Sequence, residues 1–394
     1  QDPTWSSLGE LIRTRMMAFS TLETVPRITR IRVYTVVQKP PEFSWSPIMP
    51  KVLNTDTIVR LTDDSGQDGI SSVCTFTEHG VDNSVLESMR PLLIGLLEQK
   101  PQSLQDRWAW MQQRRPGVSN TAIAGLDIAM WDLAAKRQAL PLYKLLGGER
   151  HSIRAYASIP VMEKASQYIK LINRLRQTGF SIFKFHYKSI AEADISLMRD
   201  VYHVFKDQGC QFMFDAEGHY EAQGAARVAA VMEGQKFIWL EAPFDDHDWE
   251  SYRILKRSTS VPIIPAGNSV VDLAHLQQAI AADCWSALRI DAATAGGITP
   301  AMAIFAMAAK AELNVELQSW GSSLSTAANL HLALANANSH YFEVPVPIDD
   351  FLIQGVDHFQ LGSNGHVSAP KKAGLGLDID WSIIEATASA CVEF

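Results

Sequence analysis

The chain of 394 residues lacks several features that would assign it to other classes of protein. It has no run of lysine and arginine, and its net charge of −8 with an isoelectric point near 5.8 argues against nucleic acid as a partner. No apolar run reaches the length of a membrane-spanning helix. The first 25 residues also lack the apolar core of a signal peptide, since Arg13, Arg15 and Glu23 interrupt it. We therefore predict no nucleic-acid partner and no membrane partner.

Cysteine is scarce, and the four that occur show no CxxC spacing. They are Cys74, Cys210, Cys284 and Cys391. Isolated cysteines of this kind are typical of reduced, mostly buried thiols, which predicts a cytoplasmic protein. The hydrophobic content of 47% with 20% charged residues is ordinary for a globular protein, and the length allows two domains.

What the chain does contain is a repeated pattern in its middle. Three short apolar runs end at Asp215, Glu241 and Asn268, with intervals of 26 and 27 positions and amphipathic segments between them. That repeat is typical of successive βα units of a barrel. Because the tips of consecutive parallel strands lie side by side, their oxygens can converge on a hard cation such as Mg²⁺. Asp and Asn also begin turns after strands, but three in register favour the metal site.

The alternation of strand and helix patterns extends over residues 151–360 and predicts a closed parallel barrel with eight strands and seven helices. The expected strands lie near 153–160, 182–186, 211–216, 237–242, 262–267, 286–291, 315–320 and 341–345. Residues 27–150 predict a separate α+β domain, with a small antiparallel sheet followed by helices. Residues 1–26 read as a helical extension, and the tail 361–394 is expected to return to the first domain.

Two side chains at the end of the second barrel strand are candidates for proton transfer. Lys184 and His186 are two residues apart, so they point to the same side of the strand. Flanking phenylalanines and a nearby divalent cation would both lower the pKa of Lys184 toward that of a general base. The alternative for Lys184 is a structural partner of Asp215 or Glu241. The alternative for His186 is a histidine that only satisfies its neighbours.

Other strand tips offer further candidates. Arg289 and Asp291 share one face of the sixth strand, and Arg289 is expected to pair with Asp291 or with a carboxylate on the next strand. Glu343, at the end of the last strand, is either a proton donor or a hydrogen-bonded structural acid. His219 lies four residues beyond Asp215 and is a candidate acid in that loop.

These residues and motifs resemble the enolase superfamily, in its mandelate racemase/muconate lactonising branch. The resemblance extends over about 28–380 and is most specific in 122–148, the Lys184-x-His186 pair, 239–243 and 295–299. It implies an α/β fold with an α+β capping domain over a (β/α)7β modified TIM barrel. It also implies Mg²⁺ held by Asp215, Glu241 and Asn268, and a homo-oligomer. The implied chemistry is removal of the proton α to a substrate carboxylate, which gives an enediolate.

The chain departs from the family pattern at two positions. The third metal position is usually an acid, and here it is Asn268. The seventh strand usually offers a histidine paired with the acid that Asp291 matches, and here Gln318 or Trp320 takes its place. Neither glutamine nor tryptophan can carry a proton back and forth. One face of the substrate is therefore expected to lack a general base.

This asymmetry favours an acid-sugar dehydratase among the reactions of the family, because elimination can proceed from the lysine face alone. The expected ligand is a small carboxylate, most readily an acid sugar. A racemase, epimerase or lactonising enzyme of the same superfamily is the alternative activity. The alternative of a different class is a homologue that binds a carboxylate without turnover, which Asn268 and Gln318 favour.

Overall fold

The computed structural model describes residues 26–37, 42–47, 49–78, 81–100 and 102–394. The helical extension predicted over 1–26 lies outside this part of the chain, apart from its last residue. So do residues 38–41, 48, 79–80 and 101. Among the described ranges, no helix is long and apolar enough to cross a membrane.

The first domain is built on a four-stranded antiparallel sheet. Strand β1 (Ile28–Val37) pairs with β2 (Leu53–Asp63), and β2 pairs with β3 (Asp68–Thr77). The turn between β2 and β3 is closed by Asp63, whose carboxylate accepts the peptide N–H groups of Ser65 and Gln67 at 2.8 and 2.9 Å. Sheet and turn confirm the predicted antiparallel arrangement.

Helices cover one face of this sheet. They are α1 (Ser84–Glu98), α2 (Leu104–Gln112), α3 (Asn120–Arg137) and the one-turn α4 (Leu142–Leu145). The long α3 begins at Ser119, whose hydroxyl accepts the peptide N–H of Ala122. It packs so close to the sheet that a Cβ on Gly69 would lie 2.3 Å from the Ala129 carbonyl oxygen. Only glycine permits that approach.

Eight parallel strands follow in the positions that the sequence predicts. They are β4 (Ser152–Ile159), β5 (Ile182–Phe185), β6 (Gln211–Asp215), β7 (Leu240–Glu241), β8 (Ile263–Ile264), β9 (Ala287–Ile290), β10 (Asn314–Leu317) and β11 (Tyr341–Pro345). Regular ladders join β11 to β4 and then each strand in order to β8, and they also join β9 to β10. Single backbone bonds from Ser286 to Ile263 and from Val315 to Asn338 link the remaining neighbours.

Helices surround the strands. They are α5 (Ala165–Arg176), α6 (Ala191–Phe205), α7 (Ala222–Gly234), α8 (Trp249–Ser258), α9 (Leu273–Ala281), α10 (Ala292–Ala295), α11 (Ile298–Lys310) and α12 (Ala327–Ala335). The single turn α10 is not among the predicted helices, because four residues are too few to show a period. The last strand is followed by no barrel helix, so the architecture is the expected (β/α)7β barrel with an α+β cap.

The tail returns to the first domain, as expected. After β12 (His366–Ser368), which pairs with β4, the chain forms α13 (Trp381–Thr387) and β13 (Ala390–Glu393). Strand β13 pairs antiparallel with β1 and becomes the edge of the cap sheet. We propose to place the domain boundary near residue 150 and to count the tail from 361 with the cap.

Candidate active site at the mouth of the barrel

A cavity of about 270 Å³ lies where the carboxyl ends of the barrel strands face the cap. The barrel side chains that line it are Lys184, His186, Asp215, Glu217, Asn268, Asp291, Ala293, Thr294, Gln318 and Trp320. The cap contributes Trp45, Met49, Cys74, Phe76 and Thr121. Most of the candidate residues predicted from the sequence therefore converge on one enclosed space.

Lys184 is fully buried and surrounded by carboxylates. Its Nζ lies 2.9 Å from Glu343, 3.0 Å from Glu241 and 3.4 Å from Asp215. Burial lowers the pKa of Lys184, but attraction to Glu241 and Glu343 outweighs burial and raises it above its ordinary value. The flanking phenylalanines therefore count for less than the three carboxylates, and the role of Lys184 as a general base stays a prediction. Lys184 is held as an ammonium.

The carboxylate of Glu241 is almost saturated with partners. Lys184 Nζ lies 3.1 Å from its Oε1, and the Trp239 indole donates to its Oε2 at 3.1 Å. Arg289 Nε lies 2.5 Å from Oε1, at an angle that makes the contact an ion pair rather than a hydrogen bond. Arg289 thus pairs with a carboxylate of strand β7, and not with Asp291 or a carboxylate on the next strand as predicted. With the second Lys184 contact to Oε2, about four lone-pair positions are occupied.

Glu343 is a structural acid in this arrangement. It is fully buried and accepts from Arg289 at 2.8 Å, from the peptide N–H of Ser319 at 3.0 Å and from the Trp320 indole at 3.1 Å. Although burial raises the pKa of Glu343, Lys184 and Arg289 outweigh it and hold the pKa well below its usual range. Of the two roles left open for Glu343, the structure supports the hydrogen-bonded acid, since an ionised carboxylate has no proton to donate.

His186 is buried and held in a defined tautomer. Its Nδ1 lies 2.9 Å from the carbonyl oxygen of Ile159, which can only accept, so Nδ1 carries the hydrogen. Its Nε2 is then the acid–base atom, 3.2 Å from Asp215 and 3.5 Å from Glu217. Burial lowers the pKa of His186, but the adjacent Asp215 carboxylate outweighs burial and raises it.

Two carboxyl groups whose pKa values are shifted in opposite directions lie at the end of strand β6 and just after it. Burial raises the pKa of Asp215, but Lys184 and His186 outweigh burial and hold it well below its usual range. Burial and the Asp215 charge raise the pKa of Glu217 to about 8. Glu217 also has a φ of 56°, which is uncommon for a residue with a side chain. Glu217 was not among the predicted catalytic residues, although its i, i+2 spacing from Asp215 was the available signal.

The donor chemistry fits a divalent cation at this edge of the cavity. The ligand atoms of His186, Asp215 and Glu217 lie within 4.8 Å of one another. Asn268 is exposed at the cavity wall, with its amide among the lining groups. The predicted set of Asp215, Glu241 and Asn268 stays a prediction, because both Glu241 oxygens already have cationic partners.

Across the cavity, Asp291 occupies the place expected for the sixth-strand acid. Its Oδ1 accepts from the side chain of Asn329 and from the peptide N–H of Ala293, both at 2.9 Å. Burial raises the pKa of Asp291 to about 6. Gln318 also lines this wall, and its side-chain oxygen has no hydrogen-bond partner among the described residues. His219, by contrast, is exposed in the loop after β6 and lies outside the set of lining residues.

Aromatic side chains form the roof of the cavity. The Phe43 ring stacks on Trp320 with centroids 5.3 Å apart, and Trp45 meets both Trp320 and Phe76 edge to face at 5.1 and 4.9 Å. Trp320 also approaches the His186 ring at 6.2 Å. Trp320 of the barrel, packed against Phe43 and Trp45 of the cap, thus places apolar surface beside the acid–base histidine, which limits the access of water.

Comparisons with known proteins agree with this architecture. Residues 33–147 match the family profile of the mandelate racemase/muconate lactonizing enzyme N-terminal domain, and residues 167–383 match the enolase C-terminal domain-like profile. A crystal structure of a protein from Pseudovibrio sp., assigned to the mandelate racemase/muconate lactonizing enzymes, is 33% identical with a TM-score of 0.89. The match covers 93% of this chain and 99% of that one.

Characterised relatives are more distant. An L-talarate/galactarate dehydratase from Salmonella typhimurium is 27% identical over 65% of this chain and 66% of its own length. A D-galactonate dehydratase from Klebsiella pneumoniae is 27% identical over 72% of this chain and 79% of its own length. The crystal structure of the Salmonella enzyme, liganded with Mg and L-lyxarohydroxamate, has a TM-score of 0.83 at 21% identity and 96% coverage of each chain.

Proposed function

Since the chain belongs to the enolase superfamily, in its mandelate racemase/muconate lactonizing branch, we propose that it is a Mg²⁺-dependent acid-sugar dehydratase. The observation that carries this proposal is the buried His186, oriented by Ile159 and paired with Asp215 inside the capped cavity. The substrate class is supported by relatives named as dehydratases of galactonate, xylonate and talarate/galactarate.

We propose that Asp215 holds the cation, with Glu217 or the predicted pair of Glu241 and Asn268 completing the set. When bound, a divalent cation stabilises negative charge that develops on the substrate carboxylate. The fixed cations on Glu241 reduce the charge that this residue can offer, so we expect weaker affinity than at a site with three free carboxylates.

The structure favours His186 over Lys184 as the base that removes the proton α to the carboxylate. The ordinary pKa of an imidazole lies near neutral pH, whereas that of the Lys184 ammonium is higher and is raised further by its carboxylate neighbours. Lys184 lines the cavity and offers a fixed positive charge to the substrate carboxylate. The aromatic roof excludes water while the α-carbon carries negative charge.

A second candidate function is carboxylate binding without turnover. One observation favours it: both oxygens of Glu241 already have partners within the protein. It predicts that Mg²⁺ and an acid sugar raise thermal stability without any product. A racemase or epimerase remains the alternative activity. A homo-oligomeric state and a cytoplasmic setting stay predictions from the family resemblance and the unpaired cysteines.

The test is incubation with D-galactonate, D-xylonate and galactarate in D₂O with Mg²⁺, followed by NMR of C2 and of keto-acid product. We expect deuterium exchange and a 2-keto-3-deoxy acid for at least one of them. His186→Gln should lower both rates by about 10² to 10⁴-fold. His219→Gln, in the exposed loop after β6, is the matched control and should change neither. Exchange at an undiminished rate in His186→Gln would refute the assignment of the base.

A further inference from the structure

The barrel places a second carboxyl group on the side of the cavity opposite His186. His186 follows β5, the second of the eight strands, and Asp291 follows β9, the sixth. Strands four positions apart in a closed eight-stranded barrel lie across its axis. Both side chains line the cavity, so a substrate between them would meet one on each face.

Neighbouring groups hold Asp291 in place but hydrogen-bond to only one of its two carboxylate oxygens. The bonds that it accepts from Asn329 and from the peptide N–H of Ala293 both end on Oδ1. Asn329 is itself fixed, since its Nδ2 also donates to the Gln318 carbonyl oxygen at 2.7 Å and its Oδ1 accepts from Ala292 at 3.0 Å. Asp291 is half-buried and lines the cavity, and its Oδ2 accepts no hydrogen bond from the described residues.

No imidazole stands between Asp291 and the cavity among the described lining residues. Gln318 cannot transfer a proton, and the Trp320 indole is committed to Ser158 and Glu343, each at 3.1 Å. The carboxyl group of Asp291 is therefore the group on this wall that is able to give a proton to a substrate.

We propose that Asp291 is itself the general acid that protonates the leaving hydroxyl, on the face opposite His186. This inference rests on the proposed dehydratase function and adds its stereochemistry. It replaces the expectation that one face lacks an acid–base group, and it makes the elimination anti rather than syn.

The proposed elimination moves one proton to His186 and one from Asp291. His186 Nε2 takes the proton from C2, and the electron pair of the C–H bond passes into the carboxylate to give the enediolate. That pair then forms the C2–C3 double bond while the C3–O bond breaks, and the hydroxyl takes the proton of Asp291 and leaves as water. The resulting enol takes a proton at C3 and loses the proton of its C2 hydroxyl, which gives the 2-keto-3-deoxy acid. Asp291 ends ionised and His186 protonated.

The electrostatic surroundings agree with this role. Burial raises the pKa of Asp291 to about 6, so a useful fraction of the enzyme carries the proton at neutral pH. The purely structural reading is that Asp291 only caps the single turn α10 through the Ala293 peptide. Asparagine is as good a cap, so Asp291→Asn removes the proton and keeps the cap.

The test uses Asp291→Asn with whichever of D-galactonate, D-xylonate and galactarate the wild type dehydrates, and with the 3-deoxy-3-fluoro analogue of that acid. We expect C2 exchange in D₂O to change less than about tenfold, since His186 is intact. The rate of water loss should fall by about 10² to 10⁴-fold. Loss of fluoride, which needs little help from an acid, should fall less than tenfold. Asp272→Asn, which alters the exposed cap of α9, is the matched control.

A wild-type rate of water loss in Asp291→Asn would overturn the role of Asp291. An equal fall in the rates of water loss and fluoride loss would overturn it as well. Absence of C2 exchange in the wild type with all three acids would instead overturn the dehydratase function, and this role with it. The two failures are distinguishable because, if only the role of Asp291 is wrong, the wild type still exchanges the C2 proton and forms the product.

Discussion

Lys184 illustrates how one buried residue depends on groups that are distant in sequence. Its ammonium lies within 3.4 Å of carboxylates from strands β6, β7 and β11. Burying a charge is costly unless it is paired, and here three acids share two fixed cations, Lys184 and Arg289. The residue is therefore part of the barrel's stability as well as of the candidate site.

We predict that Lys184→Met lowers the free energy of unfolding by about 3–5 kcal/mol, because it leaves buried carboxylates without their partner. Urea denaturation of both proteins, without metal and with excess Mg²⁺, measures the loss. A divalent cation can partly replace the missing charge, so Mg²⁺ should stabilise the variant more than the wild type. Lys188→Met, on the loop after the same strand and without a described ion pair, is the control. Equal stability of Lys184→Met and wild type would contradict the ion-pair assignment.

At the scale of elements, the loop after β8 is held in place by the loop after β7. The carboxylate of Asp246 accepts the peptide N–H groups of four consecutive residues, 266–269, at 2.8–3.4 Å. Gly267 within this turn has a φ of 76°, and a Cβ there would lie 2.3 Å from the Arg289 carbonyl oxygen. The turn that presents Asn268 to the cavity thus depends on one buried aspartate.

We predict that Asp246→Ala lowers the free energy of unfolding by about 2–4 kcal/mol, since four peptide N–H groups, including that of the buried Gly267, lose their acceptor. If Asn268 is a metal ligand, the variant should also bind Mg²⁺ more weakly, which titration calorimetry measures. Asp245→Ala is the matched control, because this neighbour is exposed and its side chain pairs with the exposed His247. A variant with wild-type stability and wild-type Mg²⁺ affinity would show that the loop holds its shape unaided.

At the scale of the whole molecule, His331 joins three parts of the chain. It lies on the barrel helix α12, accepts the peptide N–H of Tyr143 in the cap at Nδ1, and donates from Nε2 to the carbonyl oxygen of Leu375 in the tail. This pattern requires the neutral ring. Burial lowers the pKa of His331 to about 4.

The sign of the pH effect follows from that shift. Between pH 6.5 and 4 the unfolded chain binds a proton at this position and the folded chain does not, so stability falls as the pH falls. The contribution of His331 is complete above pH 6.5, and about 3 kcal/mol of it is lost by pH 4.

Urea denaturation between pH 4 and 7 tests this prediction. His331→Gln should be less stable than wild type at pH 7 and should show a smaller fall in stability on acidification. Parallel curves for the two proteins would mean that other groups govern the acid sensitivity.

The order of the elements and the residues that reach the barrel mouth follow from local patterns in the sequence. Apolar runs of period two, helical periodicity and acidic strand tips are local patterns, and eight strands joined by crossovers can close in few ways. Lys184, His186, Asp215, Glu241 and Asp291 were therefore identifiable from spacing and family resemblance.

The effect of those residues on one another depends on their arrangement in three dimensions. The pKa of Lys184 depends on Glu241 and Glu343, which lie 57 and 159 positions away in the sequence. Glu217 lines the cavity and His219 does not, although both follow Asp215 within four residues. Electrostatic energies depend on distance and burial in three dimensions, and a strand pattern fixes the side on which a residue lies but not the charges that it will meet there.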